Sequence, residues 1–219
     1  MFSLHIDTER GWRGGQSLVL HTVVGLRALG HRAGLVAHPD GELRRRMSEG
    51  HDLIPLAPHG EVDLSAAWRL SRLVKRLMPN VIHAYDPHAV AMASTALSIA
   101  PPSPKPALVT SVRTVSHLAH SSFARWKYSQ IDCFIANSVP VHNRLIADGV
   151  PEAKTAIVNQ GVDVERIVRM PATKSTPPSI CQRTRRSSAT WPLSCRRRDT
   201  TTSSMRQRSL SARCRTRDS

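Results

Sequence analysis

Two glycines in "DTERGWRGGQ", residues 7–16, stand where a short apolar run gives way to a stretch of helical periodicity. At such a junction the first backbone N–H groups of the helix lack partners and the helix dipole is positive, so a phosphate or carboxylate is favoured there. Gly14 and Gly15 carry no side chain and let an anion approach the backbone closely. The spacing of Gly11, Gly14 and Gly15 matches neither G-x-G-x-x-G nor a Walker loop with its lysine, and a tight strand-to-helix turn explains it equally well. Asp86 and His88 form a second candidate pair, just past the carboxyl end of the strand-like "VIHAY". Open α/β sheets place ligands at such ends, and both side chains could hydrogen-bond hydroxyl groups. The alternative is structural: Asp86-Pro87 begins a turn and His88 caps the helix that follows.

The elements that would position these residues alternate along the chain. "FSLHID" (2–7) reads as a strand, and "QSLVLHTVVGLRALG" (16–30) puts Leu18, Val19, Val23, Leu26 and Leu29 on one helical face, with Gly30 as its stop. "RAGLVAH" predicts a second strand, "ELRRRMSEG" a short helix and "DLIPLAP" a third strand. "VDLSAAWRLSRLVKRLMPN" then predicts a helix ended by Pro79, before "VIHAYDPHA" as a fourth strand and its loop. The proline-rich "APPSPKPA" (100–107) is a turn or linker, followed by the strand "LVTSVRT", the helix "FARWKYSQ", the strand "DCFIANS" and the helix "PVHNRLIADG", stopped by Gly149. "KTAIVNQGVD" supplies one more short strand and a turn. Strands alternating with helices predict an α/β fold, a Rossmann-like parallel sheet flanked by helices.

At 219 residues and 40% hydrophobic composition the chain can bury a core. Charged residues directly follow the first apolar run, leaving no room for a signal-peptide core, and no apolar stretch is long enough to span a bilayer, so a cytoplasmic protein is expected. Cys133, Cys181, Cys195 and Cys214 lack the C-x-x-C pairing of a zinc site and read as free thiols. The net charge of +15 is uneven: residues 170–219 carry 12 Lys and Arg against Asp199 and Asp218, a net of +10, which leaves +5 for the rest. Dense Ser, Thr and Arg without apolar period predict a disordered basic tail over 170–219. Phosphate-backbone binding by that tail is the weaker hypothesis, since Trp191 is its one aromatic and it has no recognition fold, so no specific nucleic acid is expected. In "WRLSRLVKRLMP", Trp68, Leu70, Leu73, Val74 and Leu77 accompany Arg69, Arg72, Lys75 and Arg76. This is either an interfacial helix making peripheral membrane contact or a crossover helix packed on its sheet with its cations in water.

"DTERGWRGGQ", "VIHAYDPHAV", "RWKYSQIDCFIANS" and "LIADGVPEAKTAIVNQGVDVER", in this order and spacing, resemble the N-terminal, acceptor-side domain of family 4 glycosyltransferases of the GT-B fold. The resemblance spans nearly all of residues 2–169 and takes them as one domain, 1–169. It implies two facing Rossmann-like domains and hexosyl-type transfer from a nucleotide sugar to a glycan or lipid-linked acceptor, in surface polysaccharide or lipopolysaccharide biosynthesis. No metal or other cofactor is implied. The glycine-rich loop of such enzymes lies beside the donor diphosphate, so Gly14 and Gly15 are expected as phosphate neighbours, and Asp86, His88 and Arg113 as acceptor-binding residues. The loop after "LVTSV" carries a histidine near the reacting sugar in many members. That implies a catalytic role for His117, with His120 as its rival. Gln160-Gly161-Val162-Asp163 resembles the interdomain "N-G-V-D" signature, with Gln for Asn. The second domain expected there does not follow. Read one nucleotide earlier with suitable synonymous codons, the tail yields a helix-to-strand passage, an amphipathic helix and a lysine. Residues 170–219 are therefore expected to be a frameshift product in place of the donor-binding domain, leaving the chain incomplete and inactive alone. Readings from other classes are a non-catalytic nucleotide- or anion-binding Rossmann module and a basic nucleic-acid-binding protein.

Overall fold

β1 (Phe2–Asp7) is buried along its whole length, as a strand must be when both neighbours and both faces are occupied. In the computed structural model, which describes residues 1–47, 52–114 and 121–161, it pairs in parallel with β2 (Arg32–Ala37) on one side and β4 (Val81–Ala84) on the other. β3 (Leu53–Pro55) lies outside β2, and β5 (Ala107–Val112), β6 (Cys133–Ala136) and β7 (Thr155–Ile157) extend the opposite edge. The resulting seven-stranded sheet has the order β3-β2-β1-β4-β5-β6-β7, so the chain changes winding direction between β1 and β4. That switch point opens a crevice at the strands' carboxyl ends. This is the Rossmann-like parallel sheet that the alternation predicts.

Alternation along β1 divides the core in two. Leu4 and Ile6 join Ile82, Ala84 and Leu108 beneath α3 (Leu64–Leu77), α4 (Pro87–Ile99) and α6 (Val139–Ala147). On the other face Val19 and Val23 of α1 (Gly14–Ala28) and Leu43 of α2 (Glu42–Arg46) pack with Leu35 and Tyr85. α5 (Ser122–Ser129) packs on α4. Four differences from the expected elements have local causes. α1 takes in both glycines, because Gln16 satisfies the Arg13 N–H and lets the helix start at Gly14. α4 is buried nearly all round, so its sequence has no amphipathic period to betray it. The cap of α4 is Asp86, whose carboxylate accepts from the Ala89 N–H, with Pro87 in the first turn; His88 does not cap. In α3 the apolar stripe is Leu70, Leu73 and Val74, while Trp68 turns outward among the cations.

α3 begins where Asp63 accepts hydrogen bonds from the backbone of Ser65, Ala66 and His59 at 2.9–3.0 Å. These bonds hold its carboxyl well below the usual carboxylate range. Asp63→Ala is expected to lower stability by about 1–2 kcal/mol, read as a falling denaturation midpoint. Because the carboxyl is depressed in the fold, this stabilisation is present above the ordinary carboxylate pKa and is lost as pH falls below it.

Candidate functional site

The crevice is built around one carboxylate. Asp86 accepts from the Thr8 N–H at 2.7 Å and the Thr8 hydroxyl at 2.8 Å, besides capping α4. It thereby ties the loop after β1 to the start of α4 across the switch point, and only 6% of the residue is exposed. Its oxygens are committed to the protein, which gives Asp86 a positioning role. His88, two residues on, is exposed and lines a separate cavity of about 590 Å³ with Thr8, Arg10, His38 and His59.

Beside this clamp, Asp7 ends β1 fully buried. It accepts from the Glu9 N–H at 3.1 Å and from Gln16 Nε2 at 3.0 Å. Burial raises its carboxyl to about 6, helped by the charge of Asp86 and opposed by these hydrogen bonds and by Arg113. Gln16 also accepts from the Arg13 N–H, so one amide side chain joins the end of β1 to the first turn of α1. Arg113, at the end of β5, reaches into the same corner. Its Nη2 donates to the Tyr85 carbonyl at 3.2 Å, and its guanidinium lies flat against Gly15. A Cβ on Gly15 would stand 2.5 Å from Arg113 Nη1, so a side chain here would displace the guanidinium from this position. Around the Cβ position of Gly14 nothing lies within 4 Å. Arg113 Nη1 is buried and has no hydrogen-bond partner among the described residues. A buried cationic N–H without an acceptor among the described residues, beside the amino end of a helix, has the charge and the spare donor that an anion would require.

Polar residues continue below this corner, on the face of the sheet that α1 covers. His5 shares a hydrogen bond with the Tyr85 hydroxyl at 3.0 Å and another with Ser3 at 2.9 Å, and His83 with Ser111 at 2.8 Å. The His83 and Tyr85 rings stack at 4.0 Å. Burial holds His5 down to about 4 and His83 to about 3, so both are neutral at physiological pH. His83, Tyr85 and Arg113 line a cavity of about 280 Å³ with Asn137, Asn159 and Gln160. Among the described residues no group of His, Cys, Asp or Glu side chains is arranged to hold a metal ion.

Of the residues singled out in the sequence, Gly14, Gly15, Arg113 and Asp86 meet in one corner, with Arg113 on the glycine loop rather than apart from it. His88 faces the other cavity. His117 and its rival His120, Asp163 and the 170–219 tail lie outside the described residues. Asp7, Gln16 and Tyr85 escaped the sequence reading. The available signal was the polar side chains at alternate positions 3, 5 and 7 of a fully buried strand.

Gly15→Ala should displace the Arg113 guanidinium and cost no more than about 1 kcal/mol, whereas Gly14→Ala should be neutral or stabilise by up to about 1 kcal/mol. Thermal denaturation of the two variants separates the positions. Acid should destabilise the fold for a countable reason. Between pH 6 and 4 the unfolded chain protonates both histidines while the folded chain keeps them neutral, and the folded chain protonates Asp7 while the unfolded chain does not. For these three groups, two protons against one leave a net loss of roughly 1.4 kcal/mol for each pH unit of acidification. Urea midpoints measured across that range should fall for the wild type, and His83→Asn should weaken the dependence by about one proton.

Residues 12–166 match Glycosyltransferase Family 4. No curated protein matches the sequence. Among solved structures, Anabaena Alr3699/HepE in complex with UDP superposes with a TM-score of 0.60 at 17% identity, over 75% of this chain and 45% of that one. A glycosyltransferase from Rickettsia africae gives 0.61 at 17% identity, over 74% and 43%. The lipopolysaccharide outer core galactosyltransferase WaaB, in its apo form, gives 0.57 at 11% identity, over 74% and 46%. This chain therefore spans less than half the length of the solved relatives it matches. At these identities the likeness is one of fold, that of one Rossmann-like half of a GT-B enzyme. With the family match extending across most of the sequence, the chain belongs to glycosyltransferase family 4.

Proposed function

We propose that this chain forms the acceptor-side half of an enzyme that transfers a hexosyl unit from a nucleoside-diphosphate sugar to a hydroxyl of a glycan or lipid-linked acceptor, in the assembly of a surface polysaccharide or lipopolysaccharide. The observation that carries this reading is the buried Arg113 Nη1, unpartnered among the described residues, lying on Gly15 at the amino end of α1. Such a donor suits a diphosphate oxygen, and the backbone of Gly14 and Gly15 offers a second, neutral contact for it. The UDP and UDP-glucose bound by Alr3699/HepE support a nucleotide-sugar donor of the same class. In this arrangement Arg113 serves the donor rather than the acceptor, and Asp7, Gln16 and Asp86 position the corner it works in. His88, on the larger cavity, remains the acceptor's contact, and His117 is assigned to the reacting sugar and the acceptor proton. Peripheral membrane contact through the outer face of α3 belongs to the same reading. No cofactor enters beyond the donor itself.

A cleft needs two walls, because orientation and electrostatic stabilisation act on a donor held from both sides. Reading residues 170–219 as an out-of-frame segment replaces the second wall, so the 219-residue chain should fold without transferring sugar. A radiolabelled-donor assay comparing it with the frame-restored protein tests this, and robust transfer by the short chain overturns it. In the frame-restored protein, Arg113→Ala should weaken nucleotide-sugar binding about 10- to 100-fold, the range for losing a charge-assisted hydrogen bond. Unchanged affinity in a folded variant removes Arg113 from the donor site.

A further inference from the structure

The corner around Arg113 has a surplus of negative charge. Asp7 lies within the electrostatic reach of both Asp86 and Arg113, so two carboxylates stand against one guanidinium. Buried surroundings screen charge weakly, and a diphosphate brought onto Arg113 and the amino end of α1 raises the cost of keeping both carboxylates ionised. One of them has to give way if the corner is to hold an anion tightly.

The two carboxylates differ in how firmly their charge is held. Asp86 accepts three short bonds, from the Thr8 N–H at 2.7 Å and from the Thr8 hydroxyl and the Ala89 N–H at 2.8 Å each. Asp7 accepts longer ones: Oδ1 takes the Glu9 N–H at 3.1 Å and Gln16 Nε2 at 3.3 Å, while Oδ2 takes Gln16 Nε2 at 3.0 Å. The Gln16 amide is fixed in that orientation, because its Oε1 accepts the Arg13 N–H. Asp7 is also completely buried, where an ionised carboxyl is most costly. Its other neighbours do not compensate. From β4, the Tyr85 hydroxyl is kept protonated by burial and bonds His5, which burial keeps neutral. From β2, Ala37 stands opposite Asp7, and His38 beyond it bonds Arg10 and the Asp40 N–H instead. From α2 the packed residue is Leu43, and Arg13 before α1 is exposed.

We propose that the corner takes its diphosphate together with one proton, which passes from solvent to the Asp7 carboxyl. Oδ2, which accepts only from Gln16, receives it, while Oδ1 keeps the Glu9 N–H. Arg113 then faces the ligand with one carboxylate set against it instead of two. This rests on the reading of Arg113 and the glycine loop as the donor's corner, and it adds a positioning residue that sets how tightly that corner holds an anion and at what pH. The coupling is reciprocal: the anion raises the proton affinity of Asp7 by the factor by which the proton raises the affinity for the anion. Burial already brings Asp7 to about 6 in the empty corner. Anion binding is therefore tightest below that pH and weakens as the pH rises through it.

Carboxyl carbon NMR of the labelled 219-residue chain, titrated from pH 5 to 8 with and without excess UDP-glucose, tests this without any transfer. The phosphates of UDP-glucose stay ionised across that range, so a proton taken up belongs to the protein. The Asp7 midpoint should rise by about one pH unit or more when the probe is present, and that of Asp86 should not. Affinity read from the same spectra should fall about tenfold or more in total between pH 5 and 8. Asp7→Asn should remove most of that fall and bind the probe about tenfold more tightly than the wild type at pH 8. Binding with an unmoved Asp7 midpoint, or a pH dependence that survives Asp7→Asn, overturns the proton uptake and leaves the donor corner standing. Should the variant not fold, the wild-type midpoints decide the question alone. A folded wild-type chain that binds no UDP-glucose at any pH overturns the donor corner itself, and the proposal falls with it.

Discussion

A single buried carboxylate holds the carboxyl edge of the sheet in register. Asp86 accepts three hydrogen bonds, two from Thr8 and one from the backbone of Ala89, and in doing so spans the point where the winding direction changes. The clamp fixes the loop after β1 against the first turn of α4. Beside it, Asp7 is joined to Gln16 and Gln16 to the Arg13 N–H before α1, each by a hydrogen bond. Of the two glycines, Gly15 is the one on which the Arg113 guanidinium lies.

The electrostatics of this corner are unequal on purpose-built lines. Two carboxylates, Asp7 and Asp86, share it with a single guanidinium, and burial makes the Asp7 charge costly enough to raise its pKa. One guanidinium N–H is nevertheless left without an acceptor among the described residues.

The buried histidines belong to the same pattern at lower intensity. A strand buried on both faces normally reads as a continuous apolar run, yet β1 alternates Ser3, His5 and Asp7 with Leu4 and Ile6. The polar set lies under α1 and is satisfied by Tyr85 and by its own neighbours, so the sheet carries a polar column toward the site at the expense of acid stability.

Much of the fold was legible because its signals are local. The first strand coincides with the apolar run at residues 2–7, and Gly30 and Gly149 end their helices with positive φ, as the sequence suggested. The parallel sheet followed from alternation, since parallel neighbours need crossover helices. α4 was the exception, for a helix buried all round has no period to read. The site was legible only as residue types: glycines before a helix, and an Asp, a His and an Arg after strands. Their roles depend on which strand ends become neighbours. Residues 15 and 113 are far apart in the chain, and nothing local to either says that a guanidinium will cover the Cα of the glycine. Asp86 and His88 look like a pair in sequence, but the helix they begin turns one inward to Thr8 and the other outward to a different cavity. The sequence by itself determined the elements and the supply of anion-binding chemistry. Tertiary structure alone decided which of those groups are consumed in holding the fold and which keeps a donor unpaired among the described residues, because hydrogen-bond partners and burial are set by contacts between strands distant in sequence.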